Sequence, residues 1–155
     1  MNKTKLTPAQ AQEKIKHYCA YQERCHSEVK SKLFEYGLTK NEADEILSYL
    51  IDNNYLNEQR YAEQFAGGHF RNKKWGRIKI RYTLKNKQIS EPCIKKALSV
   101  IDEEDYMNTL QNLYEEKKRT LKSEKNHFVR KKKIQDYLLQ KGYESGYIQE
   151  LMKQQ

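Results

Sequence analysis

The sequence predicts an all-α protein made of three tandem three-helix repeats, stacked into an elongated, curved body. Three observations carry that prediction. Apolar residues recur at helical spacing along all 155 residues, with no sustained strand alternation. Glycine and proline are scarce, at 6 and 2. The apolar pattern also repeats itself. Shifted by 51 residues, Val29, Leu33, Leu38, Thr39, Ala43, Ile46, Leu47 and Leu50 fall on Ile80, Leu84, Ile89, Ser90, Ile94, Ala97, Leu98 and Ile101. A further shift of 54 carries Ile80, Leu84, Ile89, Ile94, Ala97 and Leu98 onto Ile134, Leu138, Tyr143, Ile148, Leu151 and Met152. Amphipathic helices share a period by nature, but turns and caps recur here as well.

Taken in order, residues 1–6 read as a frayed, disordered basic tail. Thr7 caps the first helix, with Pro8 at its first position and Gln10 closing a capping box; Ala11, Ile15, Tyr18 and Cys19 form its inward stripe. A second helix over residues 25–36 buries Val29 and Leu33 and stops at Gly37. Thr39 and Glu42 make another capping box. The helix they open buries Ala43, Ile46, Leu47 and Leu50 and ends near Asn53 and Asn54. The second repeat opens with a helix over residues 57–70, with Tyr61, Ala62, Phe65 and Ala66 inward. A helix over residues 75–87 follows, then one capped by Ser90. The third opens with a helix over residues 103–121, with acids at its positive end and Lys117, Lys118 and Arg119 at its negative end. The predicted division is 7–55, 56–102 and 103–155. Such units bury their apolar faces partly on one another.

Charge narrows the function. The chain carries a formal +9, which favours an acidic partner. The apolar share is 37 %, low enough to suggest a thin body with much surface per residue. No apolar run approaches the ~20 residues of a membrane span, and residues 1–10 lack the apolar core of a signal peptide. Three cysteines without a CxxC pair suit reduced thiols in a cytoplasm. His17, Cys19, Cys25 and His26 cluster, but their spacing matches no usual pair of zinc-ligand knuckles. No nucleophile–base arrangement and no phosphate-cradling glycine loop is visible, so neither an enzyme nor a cofactor is expected.

The bases fall in two blocks. Residues 71–87 hold Arg71, Lys73, Lys74, Arg77, Lys79, Arg81, Lys85 and Lys87 and no acid. Residues 117–133 hold Lys117, Lys118, Arg119, Lys122, Lys125, Arg130, Lys131, Lys132 and Lys133 against one acid, Glu124. On a helix over 75–87, Ile80 and Leu84 mark the core side. Lys74, Arg77, Arg81 and Lys85 form a basic stripe beside it, with Trp75, Ile78 and Tyr82 beyond. A charge run is commonly a solvated face, and the apolar strip can equally pack on a neighbouring unit. Two basic blocks at repeat spacing nonetheless favour a footprint for a polyanion. The candidate partner- or DNA-binding residues are Arg71, Lys73, Lys74, Trp75, Arg77, Lys79, Arg81, Lys85, Lys118, Arg119, Lys122, Arg130, Lys131 and Lys132.

The chain also resembles a known family. Tyr55, Leu56, Asn57 and Glu58, then Arg60, Tyr61, Ala62 and Phe65, and Arg71, Gly76, Ile80, Leu84, Lys87 and Ile89 look like the central signature of the RecX regulatory proteins. Arg24, Ser27, Glu28, Lys32, Leu33 and Gly37 match an earlier stretch of that family; Lys133, Ile134, Leu138, Gly142, Tyr143 and Ile148 match its ending. There are departures. Glu58 stands for an Asp, Lys79 for an Arg, and Gln88 for a Gly, which takes an easy left-handed position from that turn. The resemblance implies a regulator of the RecA recombinase that lies in the groove of the RecA–single-stranded DNA filament. It implies inhibition of ATP hydrolysis, strand exchange and coprotease activity, with direct DNA contact through the basic stripe as an added expectation. A monomer with no membrane partner is expected. The alternatives are a freestanding DNA-binding regulator of helix-turn-helix type, and a solenoid that binds only protein.

Overall fold

The computed structural model describes residues 5–154, and those residues form nine α-helices joined by short turns. They are α1 (Pro8–Tyr21), α2 (His26–Glu35), α3 (Lys40–Asp52), α4 (Glu58–Lys73), α5 (Arg77–Asn86), α6 (Glu91–Ser99), α7 (Glu103–Thr120), α8 (His127–Lys141) and α9 (Ser145–Lys153). Their starts are written locally. Thr7 and Gln10 exchange both bonds of a capping box, at 3.0 and 3.2 Å, and Thr39 and Glu42 do the same at 2.9 and 3.3 Å. Asn57, Asp102 and Asn126 cap α4, α7 and α8 through their side chains.

Several expectations need correction. Residues 1–4 of the expected tail lie outside the described part, but residue 6 is docked: Leu6 N–H donates to Tyr36 O at 2.9 Å, and its side chain packs on the first core. The helix expected over 75–87 begins only at Arg77, because Lys74 turns left-handed (φ 58°) to end α4 and Gly76 supplies the N-cap. Ser90 makes no side-chain capping bond; its N–H is instead taken by the Glu58 carboxylate at 2.7 Å. The turn after α5 keeps its shape without a glycine. Gln88 sits at φ +66°, matching Gly37 (+89°) and Gly142 (+101°) at the corresponding places in the other units.

Packing is uneven along the chain. Ile15, Val29, Leu33, Ala43, Leu50 and their neighbours form one core within α1–α3. A second, continuous core runs through α4–α9, from Ala62 and Phe70 across Tyr106 and Leu110 to Leu138 and Ile148. Of the first unit, only Cys25 joins it. The two bodies meet through polar groups. Ser27 Oγ donates to Lys87 O at 2.9 Å, Lys87 Nζ stands 3.8 Å from Glu28, and Arg60 Nε stands 2.5 Å from Glu23. The accessible surface, 10,020 Å², exceeds the roughly 8,200 Å² of a compact protein of this mass. That excess suits units laid end to end.

Candidate partner-binding surface

The surface is set by how the end of α4 and the start of α5 are fixed to the third unit. Arg71 and Lys73 fall in the last turn of α4, where positive charge complements the negative end of the helix dipole. Lys74 O accepts a hydrogen bond from Tyr143 Oη at 2.9 Å, and Lys73 O accepts one from Lys141 Nζ at 3.2 Å. Gly76 N–H donates to Lys141 O at 2.8 Å, and Ile78 N–H to Gly142 O at 2.9 Å. The open donors at the start of α5 are thus met by the open carbonyls at the end of α8. This backbone contact explains two glycines of the resemblance at once. A Cβ at Gly76 would stand 2.3 Å from Gly142 O, and one at Gly142 would stand 2.7 Å from Lys79 N.

Arg77 locks the same joint from the side-chain level. Its guanidinium lies 3.9 Å from the Tyr106 ring centroid, bonds Glu144 at 3.0 Å, and also bonds Glu103. Its backbone N–H donates to Tyr106 Oη at 3.0 Å, and that hydroxyl in turn donates to Glu144. Burial opposes the guanidinium charge, but the two carboxylates outweigh it and raise the Arg77 pKa. Burial likewise raises the Tyr106 phenol, with Glu144 adding to the effect.

The predicted stripe therefore breaks up. Arg77 is an internal clamp between α5, α7 and α9. Arg81 is bonded to Glu91, and Lys85 lies 3.8 Å from the same carboxylate. Lys74 is outside the helix altogether. The strip beyond it also divides. Trp75 is half-buried, 4.6 Å from the His69 ring, with Lys79 Nζ 4.6 Å and Lys73 Nζ 5.4 Å from its own centroid. Ile78 (52 % exposed) and Tyr82 (68 %) remain on the surface. Sequence periodicity did not reveal the acids that take these bases. Glu91, Glu103 and Glu144 approach from other helices, so no i,i+4 spacing announces them.

In exchange, the fold joins the two basic blocks. Lys74, at the end of α4, and Arg119, near the end of α7, line one cleft with Glu115 and Glu116. On the far side of α7, Lys118, His127, Arg130 and Lys131 line a second cleft with Tyr114, Ile134 and Met152. Arg130 is held by Glu124 O at 2.7 Å, while Lys132 pairs with Asp136 at 3.2 Å. Among the described residues, Arg71, Lys73, Lys74, Arg119, Lys122 and Lys131 enter no ion pair. Beside them Phe128 is 81 % exposed. Around the cysteine–histidine cluster, as elsewhere among the described residues, no group of three or more histidine, cysteine, aspartate or glutamate side chains converges. Cys25 Sγ instead lies 3.0 Å from Glu28 and 3.2 Å from Ser27. No described helix is long and apolar enough to cross a membrane.

Fold and surface together define an all-helical protein of three-helix units with unpaired bases gathered around the ends of α4 and α7. Residues 57–98 match the second three-helix domain of RecX, and residues 103–152 match the third. The chain belongs to the RecX family. It is 34 % identical over 122 residues to the regulatory protein RecX of Clostridium perfringens strain 13, covering 78 % of this chain and 57 % of that one. With the RecX of Lactococcus lactis IL1403 it shares 31 % over 137 residues, covering 87 % and 51 %. The chain thus spans little more than half the length of these relatives. A crystal structure of RecX from Lactobacillus salivarius superposes with a TM-score of 0.84 at 23 % identity, covering 95 % of both chains. Another, of regulatory protein RecX, gives 0.85 at 24 %, covering 94 % of this chain and 71 % of the other.

Proposed function

We propose that this protein regulates the RecA recombinase by lying in the groove of the RecA–single-stranded DNA filament, where it inhibits ATP hydrolysis, strand exchange and coprotease activity. Family membership carries the reading, since the relatives are named regulatory proteins RecX. The surface supports it: Arg71, Lys73, Lys74, Arg119, Lys122 and Lys131 enter no ion pair among the described residues and so leave charge for an acidic protein surface or a phosphate chain. In this reading the protein acts as a cytoplasmic monomer. The divisions at residues 55–56 and 102–103 let successive units follow successive RecA subunits. A wedge held there excludes incoming duplex and restrains the subunit movements of the ATPase cycle.

The binding test uses fluorescently labelled filament and a Lys73→Glu, Lys74→Glu, Arg119→Glu triple variant. The variant is expected to keep wild-type helicity and bind at least about tenfold more weakly. Wild-type affinity should also fall steeply between 50 and 200 mM salt, as counterion release demands. Equal binding by variant and wild type would show that Lys73, Lys74 and Arg119 do not contact the filament. Tight, sequence-selective binding to bare duplex without RecA would favour the freestanding DNA-binding alternative.

A further inference from the structure

Helix α4 carries Gly67 and Gly68 in its interior, where each weakens a helix relative to alanine. Gly67 has an internal use, since a Cβ there would stand 2.7 Å from Arg71 Nη1. Gly68 has none: a Cβ built on it has no neighbour within 4 Å. It floors an open groove of about 470 Å³ between the first two units, within the roughly 300–1,000 Å³ range of ligand clefts. Phe65 and His69 flank it on the same helix face, stacked with centroids 3.8 Å apart. Three side-chain amides line it, Gln22, Gln64 and Asn72, each offering donors and an acceptor. Lys73 and Lys87 also line it. The two acids in the wall are engaged, Glu23 with Arg60 and Glu28 with Lys87.

We infer that this groove is a slot for one nucleotide of a single-stranded nucleic acid. The flat base lies on the bare backbone at Gly68 against the Phe65–His69 rings, its edge reaches the amides, and its phosphate meets Lys73. A flat polar ring with an attached anion matches each part of the lining. Stacking of this kind tolerates every base, because each has a π-face. The inference goes beyond RecA regulation, and its test omits RecA, so that either can fail alone.

The chain's single tryptophan, Trp75, sits 4.6 Å from His69 and reports on the site directly. Wild-type protein is titrated with a labelled thymidine 12-mer at low salt, following anisotropy and Trp75 emission. The comparison is with Gly68→Ala, Gly68→Leu and an abasic 12-mer. The open space at Gly68 accepts either side chain without disturbing the helix, so both variants should keep or raise the melting temperature. Gly68→Ala should bind within about threefold of wild type. Gly68→Leu, which fills the slot, should bind at least about tenfold more weakly, as should the abasic strand to wild type. Trp75 emission should respond to the thymidine strand only. Equal binding by Gly68→Leu, or of the abasic strand, would overturn the slot, as would no binding of the 12-mer at all.

Discussion

Arg77 is the residue whose role changes most between sequence and structure. In the sequence it is one base of eight in an acid-free stretch. In the fold it is enclosed by Glu103, Glu144 and the Tyr106 ring, and it ties three helices together. Only its chain distance from those acids, 26 and 67 residues, hid this. Removing it leaves carboxylates without their charged partner, so Arg77→Ala should cost about 1–3 kcal/mol in urea unfolding. Arg81→Ala, which gives up a more exposed pair with Glu91, should stay within about 1 kcal/mol. Equal losses in the two variants would remove Arg77 from the joint. The same contrast explains why Lys73, Lys74 and Arg119, rather than Arg77, Arg81 and Lys85, are the bases to reverse.

At the scale of the element, most of the architecture was legible. Capping boxes at Thr7 and Thr39, the proline that opens α1 and the repeated apolar spacing are local features, and each falls where the structure has it. What was illegible depends on distant chain. The start of α5 is decided by carbonyls of α8, and Ser90 loses its capping role because Glu58 supplies an acceptor. Leu6 is held by a backbone bond to Tyr36 that no tail composition predicts. Gln88 shows a turn form imposed on an unsuitable residue. Its φ of +66° costs an L-residue energy that glycine does not incur. Gln88→Gly should therefore raise stability by about 0.5–1 kcal/mol, net of the added freedom of the unfolded chain. A lower denaturation midpoint for that variant would mean the side chain contributes more than the turn costs. Leu84, fully buried in the same unit, should lose about 2–5 kcal/mol on truncation to alanine.

Among the described residues, the second and third units share one apolar core, and the first unit is attached to them mainly by a polar seam. The apolar core from α4 to α9 makes the second and third units one body. The first is joined to it through Ser27, Glu28, Lys87, Arg60 and Glu23. Burial alone would raise the Glu28 carboxyl, but the Cys25 thiol, Lys87 and the Tyr61 hydroxyl outweigh it and hold it below its ordinary value. A carboxyl that titrates lower when folded stabilises fully above its unfolded value, about pH 4.3, and ceases to do so as the pH falls through the folded one. Hydrogen exchange should therefore show α1–α3 loosening first on acidification below about pH 4, while the α4–α9 core stays protected. Simultaneous loss of protection in both bodies would contradict a separable first unit.

A body divided in this way suits the proposed partner, the RecA filament. The most direct measurement titrates the purified protein into RecA, single-stranded DNA and ATP while hydrolysis is followed. Hydrolysis is expected to fall in a saturable manner with wild-type protein, and to need at least about tenfold more of the Lys73→Glu, Lys74→Glu, Arg119→Glu variant. Unchanged hydrolysis at several-fold excess of wild-type protein over filament sites would contradict the account.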